Sequence, residues 1–426
     1  MSESAYPAPV PGASAENPYG LLTPEFFRDP YPAYARLRAE EPVRYFAPLD
    51  AWLLARYEDV DALLRSKDVS SDRVSALFTD TPEELRADSG RVARHLSDWM
   101  VFADAPEHTR LRTLMTRTFS PRTLAGLAPF VERTADELLE RAAEKGTFDL
   151  VRDYSLPLPL QVIGRILGVP KELVDDFRGW SEALFAVPQM DGDPAARHRA
   201  AITSLAKVEE LCGALIAERR RRPTDDLLGH LVAAEVGGER LTDEELIASC
   251  TLILIAGHET TAYSLVNAVR ALLAHPDQAD ALRADPALLP AAFEETLRYD
   301  SLVGWVGRTA TADLEFGGRR IPAGSLVFGM VGAANRDPEV YPDPDAFDVR
   351  RRAPRRHVTF GYGMHVCLGA ALARMEGVIG LRHLLTRLPD LRAVDTPLRW
   401  SEGIAVRGPR SLPVEVGPRG LLPATG

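Results

Sequence analysis

The residue of this chain best set up for chemistry is the cysteine in Phe360-Gly361-Tyr362-Gly363-Met364-His365-Val366-Cys367-Leu368-Gly369. Glycines at 361 and 363 allow positive φ and let the backbone approach a flat ligand closely. They deliver Cys367 to the N-terminal end of a helix, where unpaired N–H groups and the helix dipole stabilise a thiolate and lower its pKa. Such a sulfur can be an axial iron ligand; the other reading of a lone cysteine is a buried free thiol that only packs. A second group, Ala256-Gly257-His258-Glu259-Thr260-Thr261, sets a carboxylic acid beside a hydroxyl within a long apolar stretch. Gly257 and two β-branched threonines weaken helicity, and a Thr hydroxyl can redirect a backbone carbonyl, so the helix is expected to open there into a groove for O2. A third, Glu295-Thr296-Leu297-Arg298, places opposite charges three residues apart on one helix face.

The cysteine loop resembles that of the cytochrome P450 family, of form F-G-x-G-x-H-x-C-x-G, at every fixed position. The resemblance implies a haem b (iron protoporphyrin IX) cofactor with Cys367 as its metal ligand, Phe360 packed beside the sulfur, Gly361 and Gly369 shaping the loop, and His365 reaching a propionate. Thiolate ligation donates electron density to iron and favours O–O cleavage. On the same resemblance Glu259 and Thr260 are the catalytic pair of a proton relay through water, with Ala256 and Gly257 against the cofactor. His258 departs from the smaller or apolar residue often found there and either faces substrate or packs. Glu295 and Arg298 are then a buried supporting pair completed by Arg350 or Arg351. Further propionate cations are His108 and Arg112, four apart on one helical face, and Arg308 in Gly307-Arg308-Thr309-Ala310. The resemblance runs in order over roughly residues 25 to 416.

The elements that must position these residues are mostly helical. Thr242-Asp243-Glu244-Glu245 is a capping box opening a helix that runs to about Ala274, ends before Pro276 and spans roughly 48 Å, far enough to cross the whole molecule. Other helices are expected over Pro32 to Glu40, after Ser120-Pro121, from Pro290 to Tyr299, and from just after Cys367 to Leu385. Short strands are expected at Val43 to Phe46, Ala51 to Leu54, Leu314 to Phe316, Ser325 to Met330 and weakly at Leu412 to Val416, and Val69 to Ser97 reads as a loop with one or two short helices. The fold class is mainly α with a minor β portion, the cytochrome P450 fold, as a single large domain over 21–426 behind a mobile arm of residues 1–20.

With 426 residues, 46% of them hydrophobic, the chain can bury a large core, and its net charge of −11 argues against nucleic acid as the main partner. Cys212, Cys250 and Cys367 are too few and too widely spaced for a disulfide framework, which predicts a reducing, cytoplasmic setting. The proline-rich start lacks a signal-peptide pattern and no apolar run approaches a membrane span, which predicts neither secretion nor a membrane anchor.

The resemblance implies a haem-thiolate monooxygenase inserting one oxygen atom from O2 into a moderately sized, largely apolar substrate, in bacterial secondary metabolism such as antibiotic biosynthesis. Oxidative coupling, desaturation or ring formation would use the same machinery. Substrate contacts are expected from Phe185, Leu252, Ala256, Val303, Trp305, Val306 and Ile404, with Trp305 as either wall or core. Electrons should come from NAD(P)H through a ferredoxin reductase and an acidic ferredoxin, docked on Arg350 to Arg356 with Arg110, Arg117 and Arg374. Competing readings are a cysteine hydrolase pairing Cys367 with His365 or His357, and a haem-binding sensor or carrier, which would have no use for Glu259-Thr260.

Overall fold

The computed structural model describes residues 14, 17–119, 121–189, 193–235 and 238–423. Most of the expected mobile arm (1–13, 15 and 16) and the Ser120 cap lie outside the described residues. The end of the arm is corrected: Tyr19 is buried against Arg36 and Arg44, and Asn17 holds Leu21 through both its amide and its carbonyl.

The capping box forms as its residues require. Thr242 Oγ1 accepts the Glu245 N–H at 3.2 Å, and Glu245 returns a carboxylate oxygen to the Thr242 N–H at 2.9 Å. The helix then runs Asp243–Ala274, buried around nearly its whole circumference, and stops where His275 takes an extended conformation ahead of Pro276. Against it pack Pro157–Leu167, Pro194–Arg221, Leu289–Tyr299 and Ala370–Arg387. Cys212 and Cys250, distant in sequence, meet between Pro194–Arg221 and this central helix as free thiols; their hydrogen bond, then burial, pushes the Cys212 thiol up. They are a packed pair the spacing did not foretell. Among the described residues no helix is long and apolar enough to cross a membrane.

Beside the helices lies a five-stranded sheet in the order Val43–Phe46, Ala51–Leu54, Leu326–Met330, Trp305–Ala310, Val69–Ser70. Ala51–Leu54 and Leu326–Met330 run parallel and the other pairs antiparallel. Trp305–Ala310 carries an internal glycine and no clean alternation, and it forms a strand because neighbours on both sides complete its backbone hydrogen bonds. Its pairing with Val69–Ser70 sets Ser71 and Arg73 beside Arg308. The loop expected from Val69 to Ser97 contains a full twelve-residue helix, Arg86–Ser97. The tail strand is Pro413–Glu415, in a three-stranded sheet with Thr147–Asp149 and Arg392–Ala393.

The Glu295–Arg298 pair is buried, with bonds at 2.8 and 2.9 Å. Arg351, not Arg350, completes it, donating to Glu295 Oε1 at 3.0 Å. The remaining Arg298 donors reach the carbonyls of Asn335, Pro344 and Ala346, so one guanidinium ties Leu289–Tyr299 to the chain leading into the cysteine loop. Arg298→Ala leaves a buried carboxylate short of a partner and strips the Asn335 and Pro344 carbonyls of this donor, while Ala346 O keeps Arg351. It is expected to lower stability by about 3–5 kcal/mol, against less than about 1 kcal/mol for Arg36→Ala in a partly exposed pair, as read by denaturant unfolding.

Candidate active site around Cys367

The cysteine loop is closed by its own backbone. Cys367 N–H donates to Phe360 O at 2.8 Å, Gly361 N–H to Val358 O at 2.9 Å and Val366 N–H to Gly363 O at 3.2 Å. Gly361 (φ +69°) and Gly363 (φ +65°) adopt the left-handed conformation expected of them, and a Cβ on Gly363 would lie 3.0 Å from Leu64 O. The helix that follows, Ala370–Arg387, starts after Gly369. Cys367 is accessible to solvent-sized space, yet protein surrounds it closely enough that burial pushes its thiol up; both hold if the sulfur faces an internal cavity. A hydrogen bond from Gly369 N–H and the charges of Arg112 and Arg374 pull the other way. Phe360 packs beside the loop, with the Arg374 guanidinium 4.4 Å from its ring centroid.

Basic side chains from separate stretches of chain gather next to this cysteine. His108 and His365 lie in contact with ring centroids 4.1 Å apart and planes tilted by 51°, His365 Nε2 meets Ser71 Oγ at 2.9 Å, and Arg112 donates to Val366 O at 2.6 Å. Burial first, then Arg308, His108, Arg73 and Arg112, pushes His365 down to about 3. Arg308 is buried, donates to Gly307 O, and is pushed down to about 10 by burial. Arg73 is pushed down to about 9 by burial and by Arg308. Sequence reasoning missed Arg73. Arg73 passes over Gly307, where a Cβ would lie 3.2 Å from Arg73 Nε, a juxtaposition that the strand pairing creates and the local sequence does not signal. Both ring nitrogens of His108 are buried without a hydrogen-bond partner. The nearby carboxylate of Asp104 is held by Ser70 Oγ and by Ser71 N–H at 2.8 Å. Buried cations with so little compensating negative charge, and unpaired imidazole donors among them, fit a ligand that brings anionic groups of its own.

On the central helix Ala256 is exposed although the turns on either side are buried, so it too faces the internal cavity. Gly257 allows close packing of Pro157–Leu167: a Cβ there would stand 2.6 Å from Ile163 Cδ1. The expected opening does not occur. The helix is continuous, because Thr260 Oγ1 and Thr261 Oγ1 add side-chain donors to the carbonyls of Ala256 (2.6 Å) and Gly257 (3.0 Å) without unwinding the turn. Burial raises the Glu259 carboxyl, aided by Glu182, while His258, Arg410 and the Tyr263 hydroxyl oppose it. His258 does not face substrate: Nδ1 meets Leu254 O at 2.8 Å and Nε2 points to Glu182 at 3.9 Å.

Of the expected substrate contacts, Phe185, Leu252, Val303, Val306 and Ile404 are half-buried. Phe185 and Val303 border one apolar cluster with Tyr263 and Val406; Phe185 shares a second with Leu252, and Val303 a third with Val306. Trp305 is a core residue and not a wall, packed against Phe26 and Phe328 and donating to Tyr34 OH at 3.2 Å. No hydrolase dyad forms. His365 is engaged with Ser71, and His357 lies 3.2 Å from Glu294, within ion-pair distance but not aligned as a hydrogen bond.

A family model described as Cytochrome P450 matches residues 68–389. The chain is 44% identical to cytochrome P450 107B1 of Saccharopolyspora erythraea over 92% of this chain and 96% of that one. It is 42% identical to vitamin D(3) 25-hydroxylase of Pseudonocardia autotrophica over 94% and 97%. The solved structure of the bacillaene polyketide synthase cytochrome P450 PksS of Bacillus subtilis 168 superposes with a TM-score of 0.83 at 33% identity, over 93% of this chain and 99% of that one.

Proposed function

Because the chain belongs to the cytochrome P450 family, a family of haem b monooxygenases, we propose that Cys367 is its axial thiolate and that Glu259 and Thr260 deliver protons to bound oxygen. The observation that carries the reading is the juxtaposition of an enclosed, accessible sulfur with a cation group short of counter-charge. The propionates of a haem would be held by Arg73, His108, Arg112, Arg308 and His365, and its face would lie along Ala256 and Gly257, with Phe360, Gly361 and Gly369 shaping the sulfur side. When bound, a thiolate-ligated haem activates O2 and supports transfer of one oxygen atom to substrate.

The chain's own residues handle the protons. Glu259 holds its proton to a higher pH than an exposed glutamate, because burial penalises its anion. The Thr260 hydrogen is committed to Ala256 O, which leaves the hydroxyl oxygen as an acceptor facing the cavity side of the helix. Half-buried apolar walls at Phe185, Leu252, Val303, Val306 and Ile404 suit an apolar skeleton of moderate size. The names of the relatives, a vitamin D(3) hydroxylase and a polyketide synthase P450, favour a polycyclic or polyketide substrate in secondary metabolism.

For electron supply, the expected ferredoxin surface is narrower than the arginine count suggests. Arg355 is paired with Glu58 at 2.7 Å, Arg374 binds Glu294 through two bonds, Arg110 binds Glu245, and the Arg117 side chain lies outside the described residues. Exposed Arg352, Arg356 stacked on Tyr362, and Met364, half exposed beside them, form the proposed docking patch for an acidic ferredoxin supplied by its reductase in the cytoplasm.

A reduced-plus-CO absorption spectrum tests the central claim: the thiolate signature should be present in the parent protein and lost in Cys367→Ser, and its absence from the parent would overturn the reading. Arg73→Ala combined with Arg308→Ala should speed haem loss to an apomyoglobin acceptor by about tenfold or more, two charged contacts being removed. Thr260→Ala should raise peroxide release per NAD(P)H consumed; unchanged coupling removes the relay assignment alone. Arg352→Glu should slow ferredoxin-supported turnover and flatten its salt dependence, and indifference on both counts would dismiss the docking patch.

A further inference from the structure

Helix Val174–Gln189 buries Phe177, Ser181, Leu184 and Val187 and packs mainly on Pro194–Arg221, while Glu182, Phe185 and Gln189 follow at helical spacing on an adjoining face. Midway along it the Glu182 carboxylate stands 3.9 Å from buried His258 Nε2 of the central helix. At its outer end Gln189 Oε1 accepts two backbone N–H groups, from Ala405 at 3.1 Å and Val406 at 3.2 Å. Two converging donors settle which end of the amide is oxygen. The carbonyls of the same short loop are taken from the other side, Ile404 O by Trp305 N–H at 3.1 Å and Ala405 O by Gly304 N–H at 3.0 Å. The loop is thus bridged to residues 302–305 and closed on itself through Ser401, and Gln189 is its tie to the helix. That glutamine's seat lies over Gly403, where a Cβ would come within 2.7 Å of Gln189 Cδ and Oε1. Phe185 sits between the two ties and borders the cluster that contains Val406 and Tyr263.

We propose that Gln189 is a positioning residue that sets the width of the substrate cavity, by fastening the end of the helix that carries Phe185 to the loop 403–406 so that the wall they share is held in one place. The proposal rests on the haem reading above for the identity of the cavity, while the tie itself is a property of the fold. Moving the helix outward strips the Ala405 and Val406 N–H groups of their acceptor, and Val406 is buried, so the closed arrangement is strongly preferred. The packing on Pro194–Arg221 and the Glu182–His258 contact midway along the helix hold its earlier turns, which leaves the Gln189 end as the one whose release widens the cavity.

The test compares the haem-loaded parent with Gln189→Ala, Gln189→Glu and Gly403→Ala. The last adds a methyl that evicts the amide from its seat while leaving Gln189 in the chain. Amide hydrogen exchange at Ala405 and Val406, which needs no ligand, should accelerate about tenfold in Gln189→Ala and Gly403→Ala, and should stay near the parent rate in Gln189→Glu, which keeps an acceptor. Imidazole, 4-phenylimidazole and clotrimazole then serve as probes of increasing bulk, with binding read from the Soret shift. Both releasing variants should change clotrimazole affinity relative to imidazole by about fivefold or more, with imidazole itself unchanged. Unaltered exchange at 405 and 406 would overturn the tie, and accelerated exchange with unaltered size preference would overturn its role in cavity width. If imidazole produced no Soret shift in the parent, the haem reading would fall while exchange still decided the tie.

Discussion

Arg73, His108, Arg112, Arg308 and His365 converge from separate stretches of chain into a region where burial lowers the proton affinity of each, and neighbouring cations lower that of Arg73, His108 and His365 further. A folded protein rarely concentrates buried cations with so little neutralising charge, since desolvation and like-charge repulsion both oppose it. The arrangement is sustained by neighbours that orient the cations without cancelling them: Ser71 on His365, Val366 O on Arg112, Gly307 O on Arg308. An anionic ligand relieves the unfavourable burial, so its binding stabilises the folded chain. The proposed haem supplies those anions, and the thiolate side of the cavity is fixed to the same residues because Arg112 bonds the residue immediately before Cys367.

The loop that presents the sulfur depends on support further back in the chain. Glu295, Arg298 and Arg351 join the helix Leu289–Tyr299 to the segment that leads into it, with every donor of Arg298 directed at a carboxylate or carbonyl. On the opposite side of the cavity the central helix provides a rigid floor. Its threonines satisfy themselves on the preceding turn, and Gly257 lets the neighbouring helix approach to contact distance, so the positions of Ala256, Glu259 and Thr260 are set by packing and not by a local break.

Much of this was legible in the chain. The capping box at Thr242, the proline at 276, the two glycines at 361 and 363 and the paired strands at 43–46 and 51–54 each have local causes, and each element forms at or within a few residues of the expected place. The expected opening at 256–261 fails for a local reason, the back-bonded threonines, but most of what stayed open has non-local causes. The strand Trp305–Ala310 exists because of its neighbours, and that decides Trp305, open between wall and core, in favour of the core. His258 was ambiguous because its partner, Glu182, belongs to another helix, and Cys212 with Cys250 looked isolated for the same reason.

The sequence by itself determined the cysteine loop, the acid–hydroxyl pair and the long helix that carries it, because glycine conformations, caps and helical spacing act over a few residues. Only the tertiary structure decided that Arg73 joins the cation group, that Arg351 and not Arg350 completes the buried pair, and that Gln189 holds the loop 403–406. Each of those depends on where a strand register or a helix face places a side chain against residues distant in the chain, and no local propensity encodes that distance.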